Sequence, residues 1–134
     1  MVDALRRAHR IATPGGIVVD LHPSPSAAVV EAGAIATGVV DSPDGQSRHA
    51  AADAAIDAVV AEGLFTIERS GAFPFCTYAD TIEELRDYVE AHWRDARIDD
   101  ATVIRTREAA RDTPGARPRS RERVVMHVLR PRQP

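Results

Sequence analysis

A chain of 134 residues, 44% of them hydrophobic, is long enough for one domain with a buried core and too apolar for wholesale disorder. The net charge of -3 argues against a general binder of nucleic acid or anionic membrane, and the single cysteine, Cys76, excludes an intramolecular disulfide. Aromatic residues are only 4% of the chain, so Ala, Val, Ile and Leu must do most of the packing, and every basic side chain other than histidine is Arg.

The elements follow in chain order. Asp3 is placed to cap a short helix with Leu5, Ala8, Ile11 and Ala12 on one side, and Thr13-Pro14-Gly15-Gly16 stops it. Ile17–Leu21 is a β-branched run that reads as a strand, ended by His22-Pro23-Ser24-Pro25. Val29–Val40 reads as a hairpin turning at Ala32-Gly33, and Asp41–Gly45 as a loop. From Ser47 the apolar spacing becomes helical, with Ala52, Ala55, Ile56, Val59 and Val60 on one stripe.

Leu64–Arg69 alternates as a strand, Ser70-Gly71 breaks it, and Ala72–Tyr78 is expected to pair back. Thr81 followed by Glu84 forms a capping box that opens a helix burying Ile82, Leu85, Val89, His92 and Trp93. Ile98-Asp99-Asp100 starts a helix carrying Val103 and Ile104, and residues 112–120 read as a flexible, Arg-rich loop. The last strand, Arg123–Leu129, is apolar on both faces, the pattern of a central strand. The whole is one domain, residues 1–134, of α+β class: a small mixed sheet with the last strand central and helices packed on it. No run approaches the roughly 20 apolar residues of a membrane span, and residues 1–12 lack the apolar stretch of a secretion signal, so the expected address is the cytoplasm.

The segment Ala8-His9-Arg10-Ile11-Ala12-Thr13-Pro14-Gly15-Gly16-Ile17-Val18-Val19-Asp20-Leu21 resembles the helix, Pro-Gly-Gly turn and strand that lead into the fifth strand of class I S-adenosylmethionine-dependent methyltransferases. In that family the last strand runs antiparallel and inserts between the fifth and sixth strands, a slot that the two-faced run Val124–Leu129 suits. The chain is thus similar to the C-terminal half of such an enzyme. The family's Gly-rich loop after its first strand, which cradles the cofactor, has no counterpart here, nor does the acidic residue that binds the ribose. The resemblance implies a methyltransferase-like domain without independent S-adenosylmethionine binding, acting as an accessory or substrate-side subunit or as a truncated relative. It also implies an unpaired edge on the strand Ile17–Leu21, to be covered in a homodimer or a hetero-complex.

Several residues carry chemistry. Asp20 and His22 are spaced to share one side of a strand end, where they form either an acid–base, substrate-orienting pair or a strand-end Asp and a turn His bonded to nearby backbone. Cys76 reads as a nucleophile if a histidine (His22, His92 or His127) stands beside it, and otherwise as a small core residue. Trp93, Phe73, Phe75 and Tyr78 are candidates for an aromatic-lined pocket, with Cys76 in the same stretch, or for ordinary core anchors. A dimeric module binding a small ligand in that pocket is the alternative function. His49 and Asp53 have helical i, i+4 spacing, but two ligands make no metal site.

Overall fold

The computed structural model describes residues 1–133 and is an α+β domain of four helices and a five-stranded sheet. Its elements are α1 (Val2–Ile11), β1 (Val18–Pro23), β2 (Val29–Ala32), β3 (Ile35–Val39), α2 (Pro43–Ala61), β4 (Phe65–Tyr78), α3 (Ile82–His92), α4 (Asp100–Asp112) and β5 (Pro118–Pro131). Among the described residues no helix is long and apolar enough to cross a membrane.

β5 is the organising strand. One of its edges pairs with β4 over nearly its full length, from Tyr78↔Arg119 to Phe65↔Pro131. The other edge is shared: β1 takes the C-terminal half (Val18↔Leu129 to Pro23↔Val124) and β2 the N-terminal half (Val29↔Arg121 to Ala32↔Pro118), with β3 outside β2. The last strand is therefore central, as its two-faced apolar pattern requires. Every pairing is antiparallel, so the expected mixed sheet is corrected to an antiparallel one: each strand meets only segments that return in the opposite direction.

β4 is another correction. Ser70-Gly71 does not turn the chain back; β4 continues as one strand of 14 residues, with a register shift only between Ile67 and Arg69. A 14-residue β5 offers a ladder along the whole length, and Gly71 passes as an extended residue opposite Met126. The loop expected over 112–120 is likewise shorter, because α4 runs through Asp112 and β5 begins at Pro118.

Side chains alternate across a strand, and the ladder between β4 and β5 keeps its register from Arg119 to Val128. Ser120 and Leu129 therefore face opposite sides of the sheet, and two cores form on opposite faces. Leu129 packs with Leu5, Ala55, Ile56, Val59 and Phe65 beneath α1 and α2. At the other end Val30, beside Ser120, packs with Ile82, Leu85, Val89, Ile98 and Val103 of the α3–α4 side. Burying each of these side chains stabilises the fold by roughly 1.5–3 kcal/mol.

One stretch of sheet is left bare. Val19, Leu21, Phe73 and Phe75 are 42–56% exposed. Their ladder partners Val128, Met126, Val124 and Glu122 alternate with the residues under α1 and α2. Among the described residues the outer edge of β1 carries no strand.

The helix ends follow the sequence signals only in part. Asp3, expected to cap α1, lies inside its first turn, because the helix begins at Val2 with Met1 at the cap position and no side-chain cap bond. Thr81 Oγ1 accepts from the Glu84 N–H at 3.2 Å, but the Glu84 carboxylate reaches back to the Asp80 N–H, one residue earlier than a standard box. His92, expected on the buried side of α3, is exposed and bonds through Nδ1 to Tyr88 O at 2.8 Å. α2 begins at Pro43, not Ser47, since proline is suited to the first helical position.

Candidate functional site

The strand end that carries Asp20 and His22 is built from three elements. On β1 both side chains fall on the face covered by α2, and the middle of α2 brings Asp53 against them. His22 Nδ1 contacts Asp20 Oδ2 at 2.6 Å, and Nε2 contacts Asp53 Oδ1 at 2.6 Å. The imidazole is thus held between two carboxylates, with only 7% of the residue exposed. Burial works against its positive charge, but the hydrogen bonds it makes to Asp53 and Asp20 outweigh it, so its pKa is raised above the usual histidine value. An imidazolium donates through both nitrogens, which is what two carboxylate acceptors require.

The Asp20–His22 pair is therefore brought together, and the partner is Asp53 rather than backbone. The i, i+4 spacing of His49 and Asp53 is real, but Asp53 turns to His22 and His49 turns toward a cleft. His127 lies opposite Asp20 in the ladder, with its ring 6.1 Å from that of His22, and its Nδ1 meets Ser70 Oγ at 2.9 Å. Among the described residues no group of three or more His, Cys, Asp or Glu side chains is disposed to hold a metal ion.

Beyond the carboxyl end of β1 lies an open cleft of about 220 Å³, lined by Pro23, Ser42, Gly45, Arg48, His49, Trp93, Arg94 and Glu122. It continues into a narrow recess of about 30 Å³ that Ser24, Ala28, Val40 and Gln46 help to line. The turn after α3 fixes one wall. Asp95 adopts a left-handed backbone, φ 47°, which is uncommon for a residue with a β-carbon. Its Oδ2 accepts from the Asp44 N–H at 3.0 Å and so caps α2 from another part of the chain. Ser42, at the N-cap position, instead donates to Arg94 O at 2.8 Å. Paired backbone bonds between Asp41 and Arg97 complete the clamp.

The chemistry of the wall is uneven. Burial pushes the Glu122 carboxyl above its usual pKa, and no cation within ion-pair distance opposes this among the described residues. Burial lowers the His49 pKa, and the hydrogen bond that its ring donates to the Ser24 backbone does not fully offset it; the charges of His22 and Arg48 push the same way as burial. Of the two histidines, His22 is thus the one shifted toward its charged form and His49 the one shifted toward its neutral form. Ser24 Oγ is buried and has no hydrogen-bond partner among the described residues.

The aromatic candidates do not meet in one pocket. Trp93 lines the cleft. Tyr78 lies at the far end of β4, where its hydroxyl accepts from Arg119 Nη1 at 2.9 Å and its ring lies under the guanidinium groups of Arg117 and Arg119. Phe73 and Phe75 stand on the bare sheet face. The reason is that β4 stays straight and alternates, so it cannot gather residues 73–78 around Trp93. Cys76 sits opposite Arg121, six residues along β4 from Ser70, the ladder partner of His127, or about 20 Å at strand spacing. That distance precludes a Cys76–His127 hydrogen bond, and His22 and His92 are engaged elsewhere.

Glu122, Ser24 and Asp95 were invisible as site residues in the sequence, and Asp53 was visible only as a spacing partner of His49, not of His22. Only the i, i+4 pairing of His49 and Asp53 pointed at α2 at all, and nothing local marked Glu122 within an Arg-rich run. No family model, no curated protein and no solved structure matches the chain.

Proposed function

We propose that the chain is a methyltransferase-like domain that does not bind S-adenosylmethionine by itself and serves as the substrate-side part of a larger assembly. The observation that carries this reading is the strand order β1–β5–β4, with β5 antiparallel to both neighbours. β1 and β4 consequently run the same way, with the last strand inserted between them, which is the arrangement of the fifth, seventh and sixth strands in class I methyltransferases. The chain order of helix, strand, helix, strand, inserted helices and final strand fits as well. The hairpin β2–β3 is an addition that extends the same edge of β5.

The unpaired outer edge of β1 supports the reading too, since the family places its fourth strand there. An exposed strand edge invites pairing, and the adjoining bare apolar face adds a surface for a second chain. We assign that surface to a homodimer or to a hetero-complex in the cytoplasm. The cleft then lies beyond the carboxyl end of β1, where open α/β sheets commonly bind ligands. In this setting His22 and its two carboxylates orient the wall of the cleft.

The test is affinity capture of the tagged chain from its native cells, followed by calorimetric titration of S-adenosylmethionine into the chain alone and into the captured complex. No heat is expected from the chain alone, and saturable binding is expected from a complex whose second chain carries a strand, Gly-rich loop and helix. Binding by the isolated chain, or a complex that does not bind, overturns the reading.

A further inference from the structure

The cleft brings together groups that have no partners among the described residues. Ser24 Oγ is buried on the wall of the inner recess, in a residue only 6% exposed, and makes no hydrogen bond among the described residues. A hydroxyl left unsatisfied in the interior is destabilising, and a ligand atom in the recess would relieve it. Glu122 lines both the cleft and the recess and has no ion-pair partner among the described residues. Its burial raises its carboxyl pKa, so it gains from any donor brought to it.

The mouth carries the opposite charge. Arg48 and Arg94 line it, and among the described residues neither guanidinium is in an ion pair. Between the two polarities stands Trp93, half-buried, whose ring face attracts cations. Gly45 keeps that side open: a β-carbon there would overlap Ser42 Oγ.

We propose that the cleft binds a small zwitterion of the α-amino acid class, its ammonium group at Glu122, Trp93 and Ser24 and its carboxylate at Arg48 and Arg94. The size fits, because about 220 Å³ is below the roughly 300–1,000 Å³ typical of sites for drug-sized ligands. The charge pattern also selects against the two simpler classes. A plain carboxylate leaves Glu122 without a cation, and a plain amine leaves the arginines without an anion and meets their repulsion at the mouth. That this ligand is the substrate rests on the methyltransferase-like reading; that it binds rests on the cleft alone.

The experiment uses the full chain without S-adenosylmethionine. Thermal shift against a panel of standard α-amino acids identifies the best binder, and calorimetry compares it with its decarboxylated amine and its deaminated carboxylate. The intact zwitterion is expected to bind at least tenfold more tightly than either fragment. Glu122→Gln and the pair Arg48→Ala, Arg94→Ala are each expected to weaken it at least tenfold with an unchanged circular dichroism spectrum. Glu68→Gln, on the exposed far part of β4, should leave it unaffected. The proposal is overturned if no amino acid binds, if a fragment binds as well as the zwitterion, or if Glu122→Gln has no effect. Binding here together with a captured complex that ignores S-adenosylmethionine would keep the cleft and remove only the methyltransferase reading.

Discussion

Asp53 reaches His22 across 31 positions of sequence, closing a 2.6 Å contact between the middle of α2 and the end of β1. That contact, with the matching one from Asp20, holds the imidazole in its charged form and raises its pKa in the folded chain. A group whose pKa is raised on folding stabilises most below its unfolded value, near 6.5 for histidine. The contribution disappears as pH rises through the higher folded value. The stability difference between the native chain and His22→Gln should therefore be largest in mildly acidic buffer and shrink as pH is raised past the folded pKa. Urea denaturation of both proteins across that range checks it, and an NMR titration of the His22 ring should show a midpoint above that of free histidine. A pH-independent difference would mean that folding does not shift the pKa of the ring.

Gly38 on β3 lies directly against Thr102 on α4. A β-carbon at position 38 would overlap Thr102 Oγ1 and Cγ2 and sit 2.9 Å from Cβ. Thr102 is only 2% exposed and has no room to move aside. Gly38→Ala should thus cost about 1–3 kcal/mol, the range for overpacking a tight core. Adding Thr102→Ala, which removes two of the three atoms in the way, should restore part of the loss; equilibrium denaturation measures both.

Glu31 is buried at 6% exposure and accepts from Arg119 Nε at 3.0 Å and from Arg121 Nε at 2.8 Å. Burial alone would raise its pKa, but the two guanidiniums reverse this and hold it below the usual carboxylate value. Its contribution is present above the unfolded pKa and is lost as pH falls through the lower folded one. Glu31→Gln should cost about 1–2 kcal/mol at neutral pH, discounted because both arginines are partly exposed. The difference from the native chain should vanish in strong acid, as denaturation at successive pH values will show.

The sequence made the order of elements readable because each was marked locally. Thr81 and Glu84 announced α3, and the two-faced run at the end announced a central β5. What failed was long-range. Gly71 reads as a breaker until a ladder partner, Met126, is supplied from 55 positions away. The pairing of Asp20 with His22 was visible in their spacing, whereas Asp53 joins them only because α2 folds back over β1. The aromatic residues were close in sequence and fell apart in space, since a straight strand sends Phe73 and Tyr78 to opposite faces, with Tyr78 at the strand's end. The cleft has no sequence signature: its wall depends on Asp95 capping a helix more than 50 positions earlier.

The particle mass in solution, by light scattering on a size-exclusion column at micromolar concentration, tests most directly whether the flank at β1 is made to be covered. The native chain should run at twice the mass of one chain or more. The double substitution Val19→Arg, Leu21→Arg, placed on the 51% and 56% exposed positions of that flank, should run as a folded monomer. A native chain that elutes as a clean monomer would contradict the incomplete-sheet account.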